Sequence, residues 1–523
     1  MKRLLLLLLF LPGCVANGSL LNEEPAPAPE VGYAAELVWQ DCPLFTDQSG
    51  APWASCAVVD VPLDWEEPDG PTIPLFVKRY AAEGVDPLAT RDAVWPLTGG
   101  PGGAGNLQES TAELLVANDP ELTYYLLDHR GTGRSERLGC ISEGIATPGG
   151  FTITLSELPS CAADVIDTWG DALDHFTTTN AAKDLAWLIE QTRADGQRVH
   201  VHGGSYGTRW LQRLLQVAPD AADSASGLGV VPPDFTFADY DTTYEVTGAA
   251  YLDLCATDPT CRGALGTNPF GRARLVLDGL DVGCPEALGL GLDRDRLRSF
   301  FGGLLLAGFD ERVAIPALLH RLDRCDADDV DALRYFVENV PDPLDGLRDD
   351  RNFSRVLGNL IIASELWDGS VTASEGAAFL EESVFALGSS LRVASLADAG
   401  WPTYPLDGYA GEAPDVDLPV LWINGELDPA TPLAPAADYL VDAFPAANQH
   451  LLVLRDGSHG WTSPTPDGYG CGLTAFWNFV RQPGTEIFDC AEDVVPTSFA
   501  GGPGIGQWLF GRDDLWGGST GRR

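Results

Sequence analysis

Residues Gly203-Gly204-Ser205-Tyr206-Gly207 set a serine in G-x-S-x-G between two segments of different periodicity. Before it, Arg198-Val199-His200-Val201-His202 reads as a strand. After it, Trp210 to Val217 puts Leu211, Leu214 and Leu215 on one helical face before Pro219 ends the run. A strand that turns straight into a helix at an exposed serine is a nucleophile elbow, and the flanking glycines let strand and helix approach closely. Ser205 is therefore the candidate nucleophile. The pentapeptide alone also fits a glycine-rich packing turn, so its surroundings decide its meaning.

Those surroundings alternate. Strand-like segments at Ala57–Leu63, Ile73–Tyr80, Ala93–Leu97 and Leu122–Leu127 are each bounded or interrupted by Pro or Gly. Asn180 to Thr192 places Leu185, Leu188, Ile189 and Thr192 at helical spacing, and Leu418–Ile423 and His450–Leu454 read as two later strands. This rhythm predicts an α/β fold, a mostly parallel sheet with flanking helices. Between residues 230 and 401 the rhythm stops and helical segments such as 331–337 take over, which predicts an inserted helical cap. The core is then residues 33–229 and 402–523, well within the capacity of 523 residues.

The first 13 residues carry Met1-Lys2-Arg3 and an apolar run from Leu4 to Leu11, the form of a signal peptide and too short to span a bilayer. Leu11-Pro12-Gly13-Cys14 resembles a bacterial lipobox, which implies lipidation of Cys14. An ordinary cleaved signal beside an incidental cysteine is the alternative. Residues 14–32, with Glu23-Glu24-Pro25-Ala26-Pro27-Ala28-Pro29, read as a semi-rigid tether. The expected location is outside the cytoplasm, as a lipoprotein of a bacterial cell envelope or a secreted protein. Membrane contact is expected only through the lipid.

Of the 11 cysteines, setting Cys14 aside leaves an even number for disulfides in an oxidising compartment. Nearness in sequence pairs Cys42 with Cys56, Cys140 with Cys161, Cys255 with Cys261, Cys284 with Cys325 and Cys471 with Cys490, free core thiols being the alternative. Without C-x-x-C spacing a zinc site is not expected. A net charge of −44 repels nucleic acid and anionic lipid.

A serine hydroxyl needs a histidine to take its proton and a carboxylate to orient that histidine. Asp428 follows the strand Leu418–Ile423 in a proline-bounded loop, and His459 follows the next strand in Gly457-Ser458-His459-Gly460. The chain order Ser205, Asp428, His459 is that of the α/β-hydrolase triad. Glu426 and Asp456 are the alternative acids. Of the seven histidines, His459 alone joins a glycine loop after a strand to a position beyond the candidate acid. Backbone donors must also meet the developing oxyanion. The N–H of Tyr206 is one candidate, and the N–H of Gly100, in the glycine run after Leu97, is the other. Such chemistry needs no metal or organic cofactor.

Gly99-Gly100-Pro101-Gly102, Asp128-His129-Arg130-Gly131-Thr132-Gly133-Arg134-Ser135, Gly203 to Thr208, Asp428 and Gly457 to Gly460 together resemble the secreted tripeptidyl aminopeptidases of the proline iminopeptidase group of α/β-hydrolases. The similarity runs from about Ala57 to Cys490. It implies a serine exopeptidase whose helical cap closes one end of the cleft and whose acidic cap residues bind the α-ammonium of a peptide with a free N-terminus. Glu365 best matches that amine-binding role, in a region where relatives tend to carry a cysteine and an aspartate at the places of Ala363 and Glu365. A helix-capping glutamate is the alternative. Thr98 stands where proline iminopeptidases carry histidine. An esterase would use the same machinery, and a non-catalytic peptide-binding lipoprotein is the reading from another class.

Overall fold

The computed structural model describes residues 33–517, apart from 145–146, 148–151, 307–308, 343–351, 463–469, 487, 492–494, 496 and 502–503. The signal segment, Cys14 and the tether lie outside the described residues.

Among the described residues, nine strands make one sheet: β1 (Gln40–Pro43), β2 (Trp53–Pro62), β3 (Thr72–Ala81), β4 (Asp92–Leu97), β5 (Leu122–Leu127), β6 (Arg198–Gly204), β7 (Ser224–Leu228), β8 (Val420–Gly425) and β9 (Gln449–Leu454). Their order is β1-β2-β3-β5-β4-β6-β7-β8-β9. The β1, β2 and β3 strands pair antiparallel, β3 meets β5 antiparallel, and from β5 to β9 all neighbours are parallel. Every residue of β4, β5 and β8 is buried, as expected for parallel strands covered on both faces. Leu97 pairs with Gly203 and Gly425 with Leu454, so the loops after β4, β6, β8 and β9 leave the same edge of the sheet. That edge is where side chains from distant parts of a parallel sheet can meet.

The β7 strand, Ser-Ala-Ser-Gly-Leu, has no counterpart in the sequence expectations because it lacks β-branched residues and alternation. Its two serines instead satisfy buried histidines. Ser224 Oγ and Ser226 Oγ lie 2.8 Å from the two ring nitrogens of His200, and Ser226 Oγ lies 2.9 Å from His202 Nδ1. Burial pushes His202 down to about 3 and His200 well below the ordinary imidazole value, so both are neutral structural groups.

Between β7 and β8 the chain is helical, from Tyr240–Thr257 to Ser389–Asp398. These helices bury their own apolar cluster, including Leu252, Leu297, Phe301, Leu318 and Phe336. The same cluster takes in Phe499, Leu509, Phe510 and Leu515. Arg321 donates to the carbonyls of Asp514 (3.0 Å) and Leu515 (2.9 Å). The segment from Phe499 to Leu515 thus packs on the cap rather than wholly on the core. The five disulfides join the pairs expected from sequence nearness, which fits an exported protein.

Candidate active site

Ser205 sits between β6 and the helix Tyr206–Val217 with φ 55° and ψ −125°, outside the regions ordinary residues favour. The surroundings hold it there. Its N–H donates to Leu228 O at 2.8 Å, and Thr208 N–H donates back to Ser205 O at 2.8 Å. A Cβ at Gly207 would lie 2.1 Å from Leu97 O, and one at Gly203 would lie 2.3 Å from Gly207 O. At Gly204 a Cβ would meet nothing within 4 Å. Strand-to-helix packing therefore requires the outer two glycines, while Gly204 is free of that constraint.

The loop after β4 passes over the elbow. A Cβ at Gly99 would be 2.7 Å from Ser205 Cβ, so only glycine allows the approach. Gly100 has φ 122°. Among the described residues, neither Gly100 N–H nor Tyr206 N–H donates to a protein acceptor. Thr132 Oγ1 holds the loop by donating to Gly102 O at 2.8 Å. Asp128 accepts from Gly105 N–H and Arg134 N–H, both at 2.8 Å. Arg130, fully buried, bonds Asp184 at 2.6 and 2.7 Å and reaches the carbonyls of Pro62, Leu63 and His175. The Asp128-to-Ser135 segment is thus the frame that holds the glycine loop.

Asp428 lies in the loop after β8 and is 2% exposed. Its Oδ1 accepts from the N–H groups of Ala430 (2.8 Å) and Thr431 (2.9 Å). Its Oδ2 accepts from Thr431 Oγ1 and meets His459 Nδ1, each at 2.7 Å. Burial of His459 works against the imidazolium, but the charge and hydrogen bond of Asp428 outweigh it and raise the pKa. The two loops are stitched together, since Leu427 N–H donates to Gly457 O at 2.8 Å. Gly229, with φ 67°, leaves room for the imidazole, because a Cβ there would lie 2.7 Å from His459 Cε1. The alternative acids are engaged elsewhere. Glu426 accepts from Asp456 N–H at 3.2 Å, and Asp456 accepts from Thr497 Oγ1 at 2.8 Å.

Ser205 and His459 open into one cavity of about 530 Å³, roofed by Phe237, Tyr240, Phe353, Ile362, Leu387 and Val393 from the cap region. Glu365 ends the helix Arg355–Glu365, one turn beyond Ile362, and is not on the cavity wall. Its Oε1 accepts from Thr178 N–H at 3.1 Å, at the start of the helix Thr178–Thr192, and from Tyr404 O–H at 2.8 Å. A carboxylate at a helix N-terminus is favoured by the helix dipole. The position is thus a capping one, while Oε2 is buried with no partner among the described residues. Sequence reasoning missed Asn359 and Arg392, which do line the cavity. Nothing local marks them, since the cap's tertiary packing aims them inward.

Sheet order, elbow and strand-end loops define an α/β-hydrolase fold. The alpha/beta hydrolase fold family matches residues 97–253. Within that class the chain resembles tripeptidyl aminopeptidases. It is 27% identical to the tripeptidyl aminopeptidases of Streptomyces coelicolor and Streptomyces lividans over 189 residues, 33% of this chain. The match spans 34% of those relatives' own length. An esterase from Exiguobacterium antarcticum aligns over 79% of this chain and 97% of its own at 14% identity, with a TM-score of 0.34.

Proposed function

We propose that the protein is a serine exopeptidase that releases short segments from peptides with a free N-terminus through an acyl-enzyme. The observation that carries this reading is His459, paired with Asp428 at 2.7 Å, opening with Ser205 in its elbow into one cap-covered cavity. His459 takes the Ser205 proton as Oγ attacks the peptide carbonyl, and later gives it to the leaving amine. Asp428 fixes the ring and stabilises the imidazolium. The N–H groups of Gly100 and Tyr206 receive the oxyanion, one such donor contributing about 3 kcal/mol. The similarity to tripeptidyl aminopeptidases supports a peptide as substrate. The resemblance offers Glu365 for the substrate ammonium, a role that requires its side chain to turn from the Thr178 cap toward the cavity, since its unpartnered Oε2 is buried off the cavity wall. Lipidation at Cys14 would hold the enzyme at the cell envelope.

The test is a peptide library with free and acetylated N-termini, run beside neutral acyl esters. Cleavage of free-amine peptides in preference to acetylated ones is the expected result. Ester turnover without peptide cleavage would refute the peptidase reading, and equal rates on both peptide sets would remove the role of Glu365.

A further inference from the structure

In a chain of net charge −44, the charged side chains on the described part of the active-site cavity wall are of the opposite sign. Among the described residues the wall includes Arg355 and Arg392 and no Asp or Glu. Three groups on that wall are buried hydrogen-bond donors with no partner among the described residues: Thr98 Oγ1, Asn359 Nδ2 and one terminal nitrogen of Arg392. The other terminal nitrogen of Arg392 is held by Ile153 O, which fixes the guanidinium in place. Asn359 is only 5% exposed. Arg355 and Asn359 sit on one helix, Arg392 on the helix Ser389–Asp398, and the two helices pack together. Glu143, a carboxylate whose charge acts on Arg392, is already committed. It pairs with Arg137 at 3.1 Å and accepts from Arg355 N–H at 2.8 Å. Burial, and then the charge of Arg355, pull the Arg392 guanidinium down to about 10. Asp241 meanwhile accepts the N–H groups of Gly388 and Ser390 at 2.9 Å, so the donors on offer here are side chains rather than that helix end.

Buried unpartnered donors are costly, and a cavity wall that keeps them is built to be completed by an acceptor. The unpartnered guanidinium nitrogen of Arg392 and the amide of Asn359 call for an anion, and the planar fork of Arg392 suits a carboxylate. We propose that Arg392, with Asn359 beside it, binds a carboxylate of the substrate, so the enzyme prefers acidic acyl groups or short peptides that end in a free carboxylate. This deepens the peptidase reading and rests on the same Ser205 site.

The experiment compares three matched pairs, each an anion against its neutral isostere. Ala-Ala-Glu and Ala-Ala-Gln coumarylamides place the charge in the released segment. Short peptides with a C-terminal carboxylate or amide place it in the leaving group. The 4-nitrophenyl esters of glutarate and valerate read the same subsite even if no peptide is cleaved. At least one anionic member should be favoured about 10-fold in kcat/KM, the scale of one charge-assisted hydrogen bond. That preference should disappear in Arg392→Gln and survive in part in Arg392→Lys, with fluorophosphonate labelling of Ser205 showing that each variant retains a folded site. Free glutarate should also inhibit the unmodified enzyme more than valeramide does. The proposal is overturned if no pair discriminates, or if discrimination persists in Arg392→Gln. Anion preference on the ester pair with no cleavage of any peptide would leave the carboxylate subsite standing and sink the peptidase reading.

Discussion

Replacing Asp428 by Asn separates the orienting role from mere packing. Oδ1 of Asp428 accepts two backbone N–H groups at 2.8 and 2.9 Å, and an amide oxygen can keep both bonds. The new NH₂ group must then face Thr431 Oγ1 and His459 Nδ1, where Oδ2 now stands 2.7 Å from each. His459 Nδ1 becomes an acceptor, so the ring proton moves to Nε2, the nitrogen that should receive the proton of Ser205. The wrong tautomer should lower kcat by about 10⁴, or about 5 kcal/mol of transition-state stabilisation, with little loss of fold. Ester hydrolysis normalised to fluorophosphonate-titrated sites measures this. The pH profile supplies a second readout. Asp428 raises the pKa of His459, so the basic form accumulates above that raised value and kcat/KM climbs with pH through it. Without the carboxylate charge, the limb of the residual activity should move to lower pH. A loss smaller than tenfold, or an unmoved limb, would refute the assignment and return the role to Glu426 or Asp456.

Gly207→Ala should destabilise by about 1–3 kcal/mol through overpacking against Leu97 O, whereas Gly204→Ala, which meets open space, should stay within about 0.5 kcal/mol; urea unfolding reads both. Arg130→Met leaves Asp184 buried with Trp65 Nε1 as its remaining side-chain donor and should cost about 3–5 kcal/mol, seen as a lower midpoint of thermal unfolding. The double change Cys284→Ser and Cys325→Ser opens a loop of 41 residues and should cost about 4 kcal/mol by chain entropy. Hydrogen exchange should then show the cap opening before the sheet.

The parts of the fold legible in the sequence are those where one residue type alone is physically tolerable. Glycine at 203 and 207 is readable because strand and helix backbones come within contact distance there. The strands β4, β5 and β8 are readable because burial on both faces makes them continuous apolar runs. The β7 strand escapes because its serines serve His200 and His202, a need that arises only once two strands lie side by side. The docking of the segment from Phe499 to Leu515 escapes for a similar reason. Phe499, Phe510 and Leu515 are apolar wherever they dock, and nothing in their spacing names the cap as their partner.

The same distinction explains why the machinery is more legible than the specificity. Ser205, Asp428 and His459 each follow a strand, so the sheet alone brings them to one edge, and their order in the chain is enough to mark them as the candidate triad. Glu365 and Arg392 lie on cap helices whose crossing geometry no strand order dictates. A glutamate at the last turn of Arg355–Glu365 can face the cavity or the N-terminus of a neighbouring helix by a small rotation, and here Oε1 caps Thr178. Arg392, with no motif around it, is turned to the cavity because its helix packs on Arg355–Glu365 and Ile153 O anchors one side of its guanidinium. On the proposed reading, changes in cap packing should alter which substrate charge is recognised without touching the candidate triad, and the charge of the cavity wall, rather than the acidity of the whole chain, is the quantity that should govern selectivity.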